Sequence, residues 1–186
     1  LNTLSKTDDI DAQVLAQMGV ERKLRSWSPM SPKIQELKGL SRQRQAFIKQ
    51  KNALTNQLHA DKKRAKPVKN NIKRGQKMIK LYDKEIDNIE QEMKLLLAQD
   101  EKLKVNVKRL CTVPGVGLIT AATVLAETDG LVLFSRESQL IRYCGYDVKR
   151  NDSGTSVHGK TSISKAGNRH IRGALYMPSM SAMQLD

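Results

Sequence analysis

Residues 72–110 read IKRGQKMIKLYDKEIDNIEQEMKLLLAQDEKLKVNVKRL. Within this stretch Ile72, Gly75, Ile79, Tyr82, Ile86, Ile89, Met93, Leu96, Asp100, Leu103, Val107 and Leu110 fall alternately three and four residues apart. Ten of these twelve are apolar, so the spacing lays one hydrophobic seam along a helix for five heptads, the pattern of a coiled coil. Upstream, Leu37, Leu40, Arg44, Phe47, Lys51, Leu54 and Leu58 repeat the same alternation. Pro67 lies between the two series and interrupts any continuous helix, because it lacks an N–H and clashes with the preceding turn. The pair predicts two antiparallel arms joined near residues 62–70. Spacing alone does not distinguish arms that pack on each other from arms that pack on a second subunit.

Outward from the arms, residues 26–32, SWSPMSP, form a linker punctuated by proline and serine. Ser31 followed by Pro32 predicts an N-cap and first turn for the first arm. Before it, Thr7 or Asp8 caps a short helix carrying Ile10, Val14, Leu15 and Met18 on one side, with Gly19 as its stop. Beyond the arms, residues 110–128 read LCTVPGVGLITAATVLAET. A helix is expected to end near Leu110, PGVG to turn tightly, and Leu118–Leu125 to begin a second, apolar helix, which together look like a helix-hairpin-helix. Gly115 and Gly117 would leave amide N–H groups uncovered at a helix N-terminus, where a phosphate oxygen fits. A buried turn without a ligand is the competing reading. A further helix is expected around Glu137–Tyr143, ending at Gly145.

The 186 residues carry a net charge of +14 with only 4% aromatics. Such a charge favours polyanionic partners without specifying a fold. No apolar run approaches the length of a membrane span. Cys111 and Cys144 lack zinc-site spacing, and no signal-peptide pattern opens the chain, so a reducing cytoplasm is expected. The chain starts on Leu1 and stops at Asp186 directly after a helix-like stretch, which reads as a piece of a longer protein.

Charge is concentrated. Lys62, Lys63 and Arg64 open a segment, residues 61–80, whose net charge is +8 against Asp61 as its single acid. A solvated face and a phosphate-contacting tip are both compatible with that run. Residues 151–175, NDSGTSVHGKTSISKAGNRHIRGAL, mix short hydroxyl side chains and glycine with Lys160, Lys165, Arg169 and Arg172. By composition the stretch reads as a solvated loop, and alternatively as a loop presenting a nucleophile to nucleic acid. A serine there needs a base, a metal or a positive field to become reactive.

The segments VPGVG and CGYDVKRNDSGTSVHGKTSISKAGNRHIRGALYMPSM closely resemble the C-terminal domain of the DEDD-type insertion-sequence transposases, the IS-one-ten group. KTDDIDAQVLA near the start resembles the end of that family's RuvC-like domain, and the family too places a coiled coil between the two parts. The resemblance implies a mainly α chain in three parts. These are a C-terminal remnant of the RuvC-like domain with its linker (1–30), a long antiparallel coiled-coil hairpin (31–109) and an incomplete helical transposase domain (110–186). It implies that Ser153, of the Ser-Gly pair, attacks a DNA phosphodiester and forms a covalent link. It implies that Asp8 and Asp11 are the last two acids of a Mg²⁺-binding tetrad whose upstream Asp and Glu lie outside this sequence. Their i, i+3 spacing and hard oxygens suit Mg²⁺, although ordinary helix N-terminal acids have the same spacing. It further implies DNA and a guide RNA as partners, a dimer or tetramer, and a bacterial or archaeal cell with the protein at the nucleoid. In that setting Lys62, Lys63, Arg64, Gly115, Gly117, Lys160, Lys165, Arg169 and Arg172 are the expected nucleic-acid contacts. The alternative from another class is a non-catalytic nucleic-acid-binding scaffold, an arm with a helix-hairpin-helix head. A purely structural dimeric coiled coil leaves the basic serine/glycine stretch unexplained.

Overall fold

A computed structural model describes residues 7–22, 28–149, 152–153, 157–158 and 160–184, with backbone only for the pairs 152–153 and 157–158. The architecture is mainly α. Helix α1 (Asp8–Glu21) is capped by Thr7, whose Oγ1 accepts from Ile10 N. It runs through Gly19 to Glu21, so the expected stop at Gly19 is corrected. Gly19 keeps an ordinary negative φ, and a glycine that stays helical only weakens a helix by about 1 kcal/mol rather than ending it. α1 has no buried residue; Leu15 and Val20 face solvent.

Helix α2 (Pro32–Lys62) starts as expected, with Ser31 Oγ accepting from Ile34 N and Pro32 in the first turn. Helix α3 (Lys69–Ala98) returns alongside it within the same chain. The pairing is antiparallel, because Arg44 bonds Glu90, Lys51 bonds Asp83 and Leu58 lies over Gly75, partners receding on α3 as they advance on α2. Every position of the two heptad series is buried or half-buried. The two charged intruders of the first series, Arg44 and Lys51, keep their stems in the seam and reach carboxylates of the other arm at 2.7 Å each.

The second arm is not one helix to Leu110, as the unbroken heptads predict. It ends at Ala98, and helix α4 (Glu101–Leu110) begins anew. Asp100 is the physical reason. Its carboxylate accepts from Lys102 N and Leu103 N at 3.0 and 3.1 Å, an N-cap that competes with continuing the helix.

After a turn at 111–117, helix α5 (Leu118–Glu127) is buried from Ala121 to its end. A helix apolar all round has to be enclosed, and α5 is enclosed by α2, α3, α4 and α7 (Arg169–Ala182). The main core joins Leu37 of α2, Met93 and Leu97 of α3, Leu103 and Val107 of α4, and Ala122 and Leu125 of α5. A smaller cluster joins Val124, Cys144 and Ile171.

A 3₁₀ turn (Asp129–Leu131) leads to helix α6 (Glu137–Cys144), which ends on Gly145 at φ +71, the left-handed cap glycine supplies without steric cost. Between α6 and α7 the stretch read from composition as a loop forms two short antiparallel ladders. β1 (Val148–Lys149) pairs with β4 (Ser162–Ile163), and β2 (Asp152–Ser153) with β3 (Val157–His158). The registers of the two ladders differ by one residue.

Candidate functional site

The C-terminal end of α5 organises the region. Glu127 is fully buried, a position a carboxylate keeps when paired. Arg42 of α2 donates Nε and Nη2 to its two oxygens at 2.7 and 3.0 Å, and Lys38 Nζ stands 3.8 Å away. Asn168 Nδ2 donates to the same carboxylate at 2.8 Å, and Tyr143 Oη donates to the Glu127 carbonyl at 2.9 Å. Burial by itself raises the Glu127 pKa. The hydrogen bonds from Arg42 and Asn168 and the charges of Arg42 and Lys38 outweigh it, holding the carboxyl below its ordinary range. The bond to Glu127 in turn raises the Arg42 pKa. The pair is ionised at neutral pH.

Asn168 uses its other end as the N-cap of α7, with Oδ1 accepting from His170 N and Ile171 N. His170 Nδ1 lies 2.6 Å from Gln45 Oε1 of α2. Burial, and then the positive charges of Arg42, Arg169 and Lys38 against the single pull of Glu127, lower its pKa and favour neutral imidazole.

The residues S-K-A-G-N at 164–168 act as a clasp. Ser164 N donates to the Asp147 carbonyl and Ser164 Oγ to the Asp147 carboxylate. Lys165, at φ +56, donates its N–H to the Gly145 carbonyl, and Asn168 N donates to the Tyr143 carbonyl at 2.7 Å. Gly167 sits so close to Gly145 N and Tyr143 O that a Cβ would lie 2.5 Å from both. Arg172 Nη1 donates to the Cys144 carbonyl at 2.8 Å, completing the end of α6. The clasp thus fixes the base of the hairpin, where β1 meets β4. Ser153 lies in the outer ladder, opposite Val157, in the pair nearest the turn.

Each residue singled out from sequence has a definite place. The Ser153 backbone is at the far end of the hairpin, while its side chain falls outside the described residues. Asp8 and Asp11 are exposed in the first turn of α1. They are hard-oxygen donors of the kind Mg²⁺ accepts, and among the described residues no third His, Cys, Asp or Glu joins them in a group. Lys62, Lys63 and Arg64 are exposed where α2 ends, Arg64 pairing with Asp61 at 3.1 Å. Lys160 and Arg169 are exposed, as is Lys165. Gly117 is the N-cap of α5, with open space around it. Gly115, at φ +80, is pressed against α7: a Cβ would lie 2.7 Å from the Pro178 carbonyl. The close backbone approach that glycine permits there is to this protein's own last helix.

Sequence reasoning passed over Glu127, Arg42, Asn168, Gln45 and His170. One signal was available: Glu127 is the lone charge closing an otherwise apolar helix, LITAATVLAE. Its partner lies 85 positions away, beyond what local pattern reports.

Two family models match the chain. One, described as the transposase IS116/IS110/IS902 family, covers residues 107–186, and a second, a DEDD-type IS110 transposase model, covers residues 2–61. The pilin gene-inverting proteins of Moraxella lacunata and Moraxella bovis are each 26% identical over 181 residues, 97% of this chain and 54% of theirs. An uncharacterised 43.6 kDa protein of insertion element IS110 from Streptomyces coelicolor is 32% identical over 77 residues, 41% of this chain and 19% of its own. The chain spans about half the length of the Moraxella relatives it matches.

Proposed function

Because the chain belongs to the IS116/IS110/IS902 family of transposases, we propose that it is part of a DNA recombinase that breaks and rejoins phosphodiesters through Ser153. The observation that carries the reading is the order of the matches, 2–61 and then 107–186, with Ser153 on a ladder whose base is clamped to α6 and α7. A nucleophile gains from such anchoring, since a hydroxyl has to be held close to the phosphorus and in line with the leaving oxygen.

In the proposed step Ser153 Oγ bonds to phosphorus and one phosphorus–oxygen bond to deoxyribose breaks. The serine proton is lost to a base, and the departing deoxyribose oxygen takes up a proton. Attack by another deoxyribose hydroxyl on the phosphoserine reverses the balance and frees the serine. Lys160, Lys165 and Arg169 supply positive charge beside the developing phosphorane. Arg172, engaged by the Cys144 carbonyl, serves mainly by positioning. Asp8 and Asp11 would hold Mg²⁺ together with the family's upstream acids, and the ion when bound polarises a phosphoryl oxygen.

The turn between α4 and α5 reads as a helix-hairpin-helix offering the N–H groups at Gly117 to a phosphate. A guide RNA, a dimer or tetramer in which one subunit's acids complete another's serine site, and a location at the nucleoid belong to the same proposal. A second reading, a nucleic-acid-binding scaffold without chemistry, is favoured by the exposed basic tip, which binds phosphates whether or not Ser153 reacts.

The test joins this chain to an intact N-terminal half carrying the family's upstream Asp and Glu. The fusion is incubated with the element's RNA, labelled junction DNA and Mg²⁺ and run on a denaturing gel. A DNA–protein adduct mapped to Ser153 by mass spectrometry, and lost in Ser153→Ala with binding retained, supports the recombinase. An adduct that persists in Ser153→Ala removes that serine from the mechanism. Tight binding with no adduct leaves the scaffold.

A further inference from the structure

The outer face of α2 carries a pattern that neither the seam nor the serine site explains. With Leu37, Arg44, Lys51 and Leu58 in the first core position of each heptad, the second and sixth positions hold Lys38, Arg42, Lys49, His59 and Lys63, and otherwise amides; Lys38 and Arg42 turn to Glu127 and Gln45 to His170, while Lys49, His59 and Lys63 are exposed. None of these positions holds a carboxylate, although acids are frequent on the C-terminal half of α3. Between them the third position of every heptad is small: Gly39, Ala46, Ala53 and Ala60. A helix selected only for solubility intersperses both signs. Here the acids of α2 are confined to Glu36 and Asp61, near its two ends. The result is a positive strip that runs from Arg42, whose side chain is 48% exposed, to Lys63, about 32 Å at 1.5 Å per residue.

The tertiary structure extends that strip. Arg42, Gln45, Ala46 and Lys49 face Arg169 and His170 of α7 across an open cleft of about 590 Å³. Glu127, which Arg42 and Lys38 share, is fully buried. Lys49 and Arg169 have no carboxylate partner among the described residues. His170, lowered in pKa by burial first, adds no fixed charge to the cleft. The strip therefore leads from the basic tip at 62–64 to the first turn of α7, directly after the clasp that anchors the serine hairpin.

We propose that the outer face of α2, together with the α2–α7 cleft, is a track for the phosphodiester backbone of a nucleic-acid duplex. Its length matches about one turn of a duplex. The small residues let the backbone approach the helix surface, and the cations replace condensed counterions. The track rests on the reading that nucleic acid is the substrate. It does not rest on the serine chemistry or on the PGVG turn, and it shares only Lys63 with the tip.

The test uses the 186-residue chain and fluorescence anisotropy with labelled DNA and RNA duplexes of arbitrary sequence, a few turns long, over a range of salt. Ala46→Glu with Ala53→Glu puts two carboxylates into the strip at exposed positions, glutamate being nearly as good a helix former as alanine. The expected loss is about tenfold or more in affinity, with the glutamine pair, Ala46→Gln with Ala53→Gln, close to wild type. Lys49→Ala is expected to lower the salt slope by about 1. Loss for DNA alone, for RNA alone or for both identifies which backbone lies on the track. Unchanged affinity and slope for both duplexes, in variants that melt like wild type, overturns the proposal, as does binding that responds only to alanine substitution of Lys62 and Arg64. The adduct experiment reads a different step, so failure of either leaves the other standing.

Discussion

Two glycines of one turn show how differently the same residue type is used. Gly115 occupies the left-handed region at φ +80 and has the Pro178 carbonyl where a Cβ would point. Gly117, two residues on, has an ordinary φ of −90 and free space. Gly115→Ala is therefore expected to cost at least about 2 kcal/mol, from left-handed strain plus a backbone clash that a flexible side chain cannot relieve. Gly117→Ser, which supplies a side-chain cap in open space, is expected to stay within about 0.5 kcal/mol of wild type. Urea unfolding of the two variants checks the pair, and equal costs would refute the packing account. Both residues were legible as turn glycines. That Gly115 meets α7 was not, because Pro178 comes 63 positions later in the chain.

At the scale of elements, the heptad series specified the hairpin well, down to which positions are enclosed, because burial in a helix follows its 3.6-residue period. The series misled at one point, where Asp100 occupies a seam position and ends the arm. A carboxylate half-buried in a seam gains more by accepting two backbone N–H groups than by continuing the ladder. Asp100→Ala is expected to destabilise the chain by about 1 kcal/mol, and thermal melting of that variant checks it. Asp100→Asn, which preserves the cap, should recover most of the loss; a similar loss in both variants would show that capping is not what Asp100 contributes. The nested ladders before α7 were not read as strands, since two-residue pairings leave no alternating pattern to detect.

At the scale of the whole molecule, Glu127 ties the arm α2, the core helix α5 and the cap of α7 to one buried carboxylate. Its folded pKa lies below the unfolded value, so its contribution is complete above about pH 4.3 and is lost as pH falls through the folded value. Glu127→Gln is expected to cost about 2 kcal/mol at neutral pH, less than for a fully enclosed pair because the Arg42 side chain is 48% exposed. The variant should also flatten the loss of stability below about pH 4.3, measured by urea titration across the acid range. His170 shifts in the same direction as a base: its lowered pKa favours the folded state above about pH 6.5 and loses that advantage as pH falls. An unaltered acid limb in Glu127→Gln would assign acid sensitivity to other carboxylates. The sequence by itself determined the mainly α class, the two arms and their seam, the caps at Ser31 and Gly145, and the family motifs, because each depends on residues within a few turns of one another. Only the tertiary structure decided that the arms close on each other, that α7 presses on the PGVG turn, and that α2 reaches α5 and α7 through Arg42, Glu127 and Asn168. The contacts at Glu127 and at the PGVG turn join residues 41 to 85 positions apart, and no local propensity encodes a partner at that distance.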